Sequence, residues 1–185
     1  MINATQIRRG MLIKLDGIPY VVLNATHITP GKGRAYMQCV IRNLQTGLSR
    51  DVRFRSNDRV EEAEVDEVDM EYIYNADNIY YFMDLESYEQ IPLDAELIGE
   101  SAKFLQPNIR VRVRFYEGKP LGIILPKYVV LKVLETQAYI KDATAQAQMK
   151  PALLEGGHNC QVPPFVEVGD LIKVNTETGE YVERV

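Results

Sequence analysis

The chain has 185 residues, of which 46% are hydrophobic and 25% charged, with a net charge of −5. That composition fits one or two globular domains and excludes collagen, low-complexity disorder and coiled coil. The longest apolar runs, such as Tyr128-Val129-Val130-Leu131, fall far short of the ~18 residues a membrane span needs.

Taken in chain order, strand signals dominate. Met11–Leu15 and Ile18–Leu23 flank Asp16-Gly17, a strong hairpin dipeptide. Tyr36–Leu44 and Leu48–Phe54 flank Gln45-Thr46-Gly47. Between Leu23 and Tyr36 lies His27-Ile28-Thr29-Pro30-Gly31-Lys32-Gly33-Arg34, in which Pro and two Gly around a Lys predict a tight turn at the tip of a long hairpin. In Val52-Arg53-Phe54-Arg55 apolar and basic residues alternate, which predicts a strand with one basic face. The acidic stretch Glu61–Asp69 reads as a solvated linker leading into a second module, and Val68–Tyr74 and Ile79–Met83 follow as strands.

Asp94–Leu105 has apolar positions on a loose helical stripe and a stop at Pro107, which predicts a helix. Ile109–Tyr116 alternates Val111, Val113 and Phe115 against Arg110, Arg112 and Arg114, and Glu117-Gly118-Lys119 turns the chain into Leu121–Leu125. Tyr128–Leu134 is a strand, and the Ala/Gln-rich stretch from Gln137 to Lys150 reads as a long loop. Asn159–Val162, Asp170–Asn175 and Glu180–Arg184 complete the strands. Short strands at close spacing point to small barrels. The expected division is 1–64, 65–126 and 127–185, three modules of a size at which one core is marginal and neighbours lend support.

Charge is unevenly spread. Residues 1–60 hold ten Lys and Arg against three Asp, a net of +7; residues 61–126 are −10 and residues 127–185 are −2. A polyanionic partner for the first module is one reading of this asymmetry, and chance variation between small modules is the other.

Catalytic signals are weak. His27 and His158 are the only histidines, and His158 with Cys160 lacks the third group that a Cys/His nucleophile pair needs. A buried strand cysteine is the simpler reading. The two cysteines, Cys39 and Cys160, form no CxxC, and no apolar signal core follows Arg8 and Arg9, so a reducing cytoplasm is expected. No acidic cluster has metal-ligand spacing, and Gly31-Lys32-Gly33 is too short for a phosphate-binding loop. The expectation is therefore no enzyme, no cofactor and no metal. From the residues alone, Lys32 is either an ordinary exposed loop charge or a cation held out at the apex of a hairpin.

Several segments, in order, carry a resemblance. They are His27-Ile28-Thr29-Pro30-Gly31-Lys32-Gly33 with Asn43-Leu44-Gln45-Thr46-Gly47, then Tyr72-Ile73-Tyr74-Asn75 through Tyr81-Phe82-Met83-Asp84. Lys150-Pro151-Ala152, Gln161-Val162-Pro163-Pro164-Phe165 and Gly169–Tyr181 complete the set. Along essentially its whole length the chain resembles the bacterial elongation factor P family. The resemblance implies an all-β, L-shaped arrangement: an N-terminal SH3-like (KOW-like) barrel and two OB-type barrels.

It also implies a translation factor that binds the ribosome, touching both subunits, between the P and E tRNA sites and relieves stalling at consecutive prolines. Lys32 would be the functional tip and the residue modified by a dedicated lysine-modifying enzyme, with Pro30, Gly31, Gly33 and Arg34 as its loop. P-site tRNA and ribosomal RNA would be the partners of a cytoplasmic monomer with no membrane contact. RNA-facing candidates are Arg8, Arg9, Arg53 and Arg55, together with Asp142 and Thr144 in the third module. At that last place the chain departs from the family: Asp142-Ala143-Thr144-Ala145 stands where Gly-Asp-Thr-Ala and a Gly-rich stretch are usual. Thr29 stands where a Lys is frequent. A different reading of the same modules is a generic OB-fold nucleic-acid-binding protein, which would need aromatic platforms beside basic grooves.

Overall fold

The structure is a computed structural model that describes residues 1–139 and 148–185. It is nearly all β. The first sheet uses β1 (Ile2–Asn3), β2 (Leu12–Leu15), β3 (Ile18–Ile28), β4 (Tyr36–Asn43), β5 (Ser49–Arg55) and β6 (Arg59–Glu62), in the order β1-β6-β2-β3-β4-β5. The second uses β7 (Asp66–Ala76), β8 (Ile79–Asp84), β9 (Gln90–Asp94), β10 (Arg110–Tyr116) and β11 (Lys119–Ile124), in the order β11-β10-β7-β8-β9. The third uses β12 (Tyr128–Thr136), β13 (Lys150–Leu154), β14 (Asn159–Val162), β15 (Leu171–Asn175) and β16 (Tyr181–Arg184), in the order β14-β13-β12-β15-β16. No helix among the described residues is long and apolar enough to cross a membrane.

Two compact units emerge from these sheets. The first is Met1–Glu67 with Arg114–Gly122, and the second is Val68–Val113 with Ile123–Val185. In the first unit the β2–β3 turn places both Asp16 (φ 52°) and Gly17 (φ 77°) in the left-handed region. This is the geometry of a two-residue type I′ hairpin, and Glu117 (φ 48°) and Gly118 (φ 77°) repeat it between β10 and β11.

Leu12 and Ile13 of β2 and Pro19–Val22 of β3 are buried, on both faces of the sheet. Ile13, Tyr20 and Val22 enter a core with Met37, Cys39, Ile41 and Phe54. Leu12 and Val21 face the other way and pack with Leu121, flanked by Tyr116, Ala63 and Val65. The tip of the β10–β11 hairpin is therefore part of this unit. Full burial of side chains such as Leu12 and Leu121 contributes about 1.5–3 kcal/mol each. Arg114 anchors the same tip, its Nη1 donating to the Gly10 carbonyl. Gly10 sits at φ +86°, a conformation that side chains rarely adopt, and a Cβ there would lie 2.7 Å from Arg114 Nη1, displacing the guanidinium from this contact. Burial lowers the pKa of Arg114, while Glu67 and Glu62 pull it back up.

In the second unit the helix expected over Asp94–Leu105 is shorter. An α-helical turn, α1 (Ala95–Ile98), is capped by Asp94, whose Oδ1 accepts from the Leu97 N–H at 3.1 Å. Such a cap contributes about 1 kcal/mol. Gly99 at φ 57° ends the α geometry, and Gly99–Phe104 continues as a 3₁₀ helix. That change of pitch delivers Phe104 into the core of the third sheet, among Val129, Leu131, Leu154 and Ile172. The stretch Gln137–Lys150 was expected to be a loop; Ile140–Ala147 lie outside the described residues, and Lys150 instead opens β13. Lys150 is buried with its Nζ donating to the Gln137 carbonyl at 2.5 Å, so its aliphatic stem fills a core position that its charge conceals in the sequence.

Candidate functional site

The site rests on register. β3 and β4 pair from Tyr20↔Asn43 to Ile28↔Tyr36, with a bulge at Leu23. β5 pairs with β4 over the same length, from Arg42↔Ser49 to Tyr36↔Arg55. Three strands thus reach the row Ile28, Tyr36, Arg55, and only the loop Thr29–Ala35 projects past it. The long hairpin with a tight turn at its tip, expected from the sequence, is present as β3 and β4, and β5 accompanies it to the base of the tip. Ser56 Oγ donates to the Ala35 carbonyl at 2.8 Å and fastens the loop at its foot.

Within that loop Gly31, Lys32, Gly33 and Arg34 are all exposed. Gly33 takes φ +119°, a conformation that side chains disfavour, and a Cβ there would touch Pro30 Cγ at 3.6 Å. Pro30 and Gly33 therefore close the turn, and Gly31 stands in open space. Among the described residues Lys32 has no ionic or hydrogen-bonding partner. It is a solvated ammonium carried by a fixed loop.

Because paired residues share a face, one face of the tip-bearing sheet carries Thr26 and Ile28, Gln38 and Tyr36, and Asp51, Arg53 and Arg55. The opposite face carries Ala25, Cys39, Met37 and Phe54, which enter the core. The predicted basic face is thus real, and it leads directly to the loop. Arg53 is held there: its Nε donates to Gln38 Oε1 at 2.9 Å, and its guanidinium lies 5.1 Å from the Tyr36 ring centroid. Tyr36 and Gln38 are the residues that sequence reasoning missed. Their link to Arg53 depends on strand register, which only the alternation of Val52-Arg53-Phe54-Arg55 hinted at.

The other candidates are more scattered. Arg8 Nη1 donates to the carbonyls of Thr5 and Ile7 at 2.7 and 2.8 Å, so that guanidinium braces its own turn. Arg9 and Arg55 are exposed. Asp142 and Thr144 lie outside the described residues. In the second unit the aromatic set divides: Tyr72 and Phe82 are buried, whereas Tyr74 stacks on Tyr81 at 4.6 Å with Tyr74 exposed.

His158 and Cys160 do not form a reactive pair. His158 Nε2 bonds the Gly179 carbonyl at 2.7 Å, and its ring packs 4.9 Å from that of Phe104. Burial raises the pKa of the Cys160 thiol and also that of Cys39, which disfavours both thiolates.

Comparison with known proteins adds a consistent picture. The family model for the elongation factor P KOW-like domain matches residues 3–60, that for the elongation factor P OB domain matches 65–123, and that for the elongation factor P C-terminal domain matches 129–184. Elongation factor P of Gemmatimonas aurantiaca is 41% identical over 182 residues, covering 98% of this chain and 97% of the relative. The protein of that name from Alkaliphilus metalliredigens is 42% identical over 185 residues and covers 100% of both. Among solved structures, eukaryotic translation initiation factor 5A from Methanococcus jannaschii covers 66% of this chain and 92% of its own, with 21% identity and a TM-score of 0.37.

Proposed function

Because the chain belongs to the elongation factor P family and is a translation elongation factor, we propose that it binds the ribosome between the P and E tRNA sites and relieves stalling at consecutive prolines. The observation that carries this reading is the exposed Lys32, without an ionic or hydrogen-bonding partner among the described residues, on a loop backed by three paired strands. Prolyl donors and acceptors react slowly because the ring restricts their geometry. A factor that holds the P-site tRNA end in a reactive arrangement supplies the orientational part of the barrier without adding a catalytic group. A 100-fold rescue requires about 2.7 kcal/mol, which a few charge-assisted contacts to phosphate or sugar provide.

On this reading the modules are 1–64, 65–126 and 127–185, in line with the spans of the three family matches. The factor works as a monomer in the cytoplasm, against P-site tRNA and ribosomal RNA. Lys32 accepts a lysine-specific addition from a modifying enzyme, which lengthens its reach. Arg34 lies beyond Gly33 and does not take the tip position.

The experiment is a reconstituted translation reaction with protein purified from its own cells. Adding it should speed full-length synthesis from a message with three consecutive proline codons and leave a matched proline-free message unchanged. Equal rates with and without the protein on the proline message would overturn the reading.

The basic face supplies a second measurable expectation. Arg55→Gln should lower the slope of log affinity for ribosomes against log salt by about one, as a lost phosphate contact does. Arg8→Gln should change that slope less, since Arg8 is already committed to the Thr5 and Ile7 carbonyls. Ribosome sedimentation across a salt series distinguishes the two variants.

A further inference from the structure

We propose that the cleft at the start of β12 is a separate RNA site, which takes one nucleotide of a single strand through Arg110, Lys127 and Tyr128. The cleft has a volume of about 490 Å³ and is lined by Asp69, Arg110 and Arg112 from β7 and β10, and by Lys127, Thr176 and Glu177 around the start of β12. All these residues belong to the second unit. The size falls in the range of sites that hold a small ligand.

Two cations there are unspent. Arg110 and Lys127 are both exposed, and neither has an ionic partner among the described residues. Lys127 Nζ lies 5.5 Å from the centroid of the Tyr128 ring, so the same lysine belongs to the cleft and to the aromatic surface beside it. Tyr128 keeps 45% of its surface in water, and Lys173 approaches its ring at 6.0 Å. The rim is fixed, because Thr176 Oγ1 bonds the Pro126 and Lys127 carbonyls at 2.6 and 3.1 Å.

An exposed aromatic ring with an unpaired ammonium beside it, here Lys127 since Lys173 is paired with Glu183, binds a base by stacking and its phosphate by charge. The acids narrow the ligand further. A bare anion filling the cleft would meet Asp69 and Glu177 as well as the cations. A ribonucleotide offers one phosphate to Arg110 and Lys127, and hydroxyl and amino donors to the two carboxylates. The surrounding segments are net acidic, −10 over 61–126 and −2 over 127–185, so the cations here are not part of a generally basic surface.

This inference rests on the proposed function only in taking RNA as the polyanion, and its test makes no use of proline rescue. The full chain, isotope-labelled, is titrated with hexauridine at low salt while amide chemical shifts are followed. Shifts at Arg110, Lys127, Tyr128 and Thr176 are expected, whatever the first unit also binds. Tyr128→Ala should weaken binding at this site by about five- to a hundredfold, and Tyr128→Phe should restore it. Arg110→Gln and Lys127→Gln should each lower the salt slope at this site by about 0.7. A parallel titration with inorganic phosphate should produce smaller shifts there. Absence of cleft shifts with hexauridine would overturn the proposal. So would phosphate shifts equal to those of hexauridine with no response to Tyr128→Ala, which would mark a simple anion site. Thermal melting of each variant verifies the fold.

Discussion

Lys32→Ala is expected to abolish proline rescue while leaving the fold and most ribosome affinity intact. The side chain is exposed and has no hydrogen-bonding or ionic partner among the described residues, so its removal should cost no more than about 0.5 kcal/mol, roughly 1–2 °C in melting temperature. On the proposed function, affinity comes from contacts of all modules, and one lost contact should weaken it only modestly. The rate benefit differs in kind. On the proposed function it depends on the group that reaches the reacting ends, where interactions act on the transition state rather than on binding alone. A reporter with three consecutive prolines should therefore fall to the level seen without the factor. Lys32→Arg separates charge from modification. It keeps the cation but cannot take a lysine-specific addition, and its planar head has a different shape. Intact-mass measurement of the native protein would show the addition directly. Full rescue by a folded Lys32→Ala protein would remove the tip from the mechanism.

Gly156→Ala is expected to be the most damaging small substitution in the second unit. Gly156 lies in the β13–β14 turn at φ +85°, where a side chain is strained by about 1 kcal/mol. A Cβ there would also stand 2.4 Å from the Lys103 carbonyl oxygen, 3.1 Å from its carbon and 3.2 Å from Gln106 Nε2. The obstructing atom is backbone of the 3₁₀ segment that carries Phe104 into the core, so it cannot swing aside. Adding about 1–3 kcal/mol for overpacking gives a loss of roughly 2–4 kcal/mol, or about 5–15 °C in melting temperature. Gly157→Ala is the internal control. Its φ is +87°, but a Cβ there meets nothing within 4 Å, so only the conformational cost applies. Equal melting of the two variants would show that the 3₁₀ segment does not press on this turn.

Local signals in the sequence were read reliably. Asp16-Gly17 and Glu117-Gly118 formed their turns, because two positive φ values select glycine and its tolerant neighbours whatever the surroundings. The Pro-Gly-Lys-Gly tip was legible because Gly33 takes a positive φ and Pro30 stands at the turn. What escaped depended on distant partners. β9 contains Pro92 and β13 contains Pro151, and proline argues against a strand when pairing partners are unknown. Arg110, Arg112 and Arg114 look equivalent along one alternating strand. Only tertiary structure sends Arg114 to the Gly10 carbonyl while Arg110 stays in water. The basic face of the site was visible in the alternation of β5, but the Tyr36 and Gln38 side chains that hold Arg53 came from β4, across the ladder.

The discontinuity of the first unit bears on how the protein is made. Leu121 completes the cluster around Leu12 and Val21, yet it lies roughly 55 residues beyond Glu67, where the first continuous stretch of that unit ends. At bacterial-scale synthesis rates of about 5–20 residues per second, those residues take roughly 3–10 s to appear. During that interval the core around Ile13, Met37 and Ile41 can assemble, while the opposite faces of β2 and β3 remain wet and apolar. The nascent chain therefore passes through a stage in which Leu12 and Val21 lack the cover of Tyr116 and Leu121, open to chaperones and to wrong partners. A tagged fragment ending after Glu67 should bind an apolar dye and lose that binding once residues through Gly122 are appended.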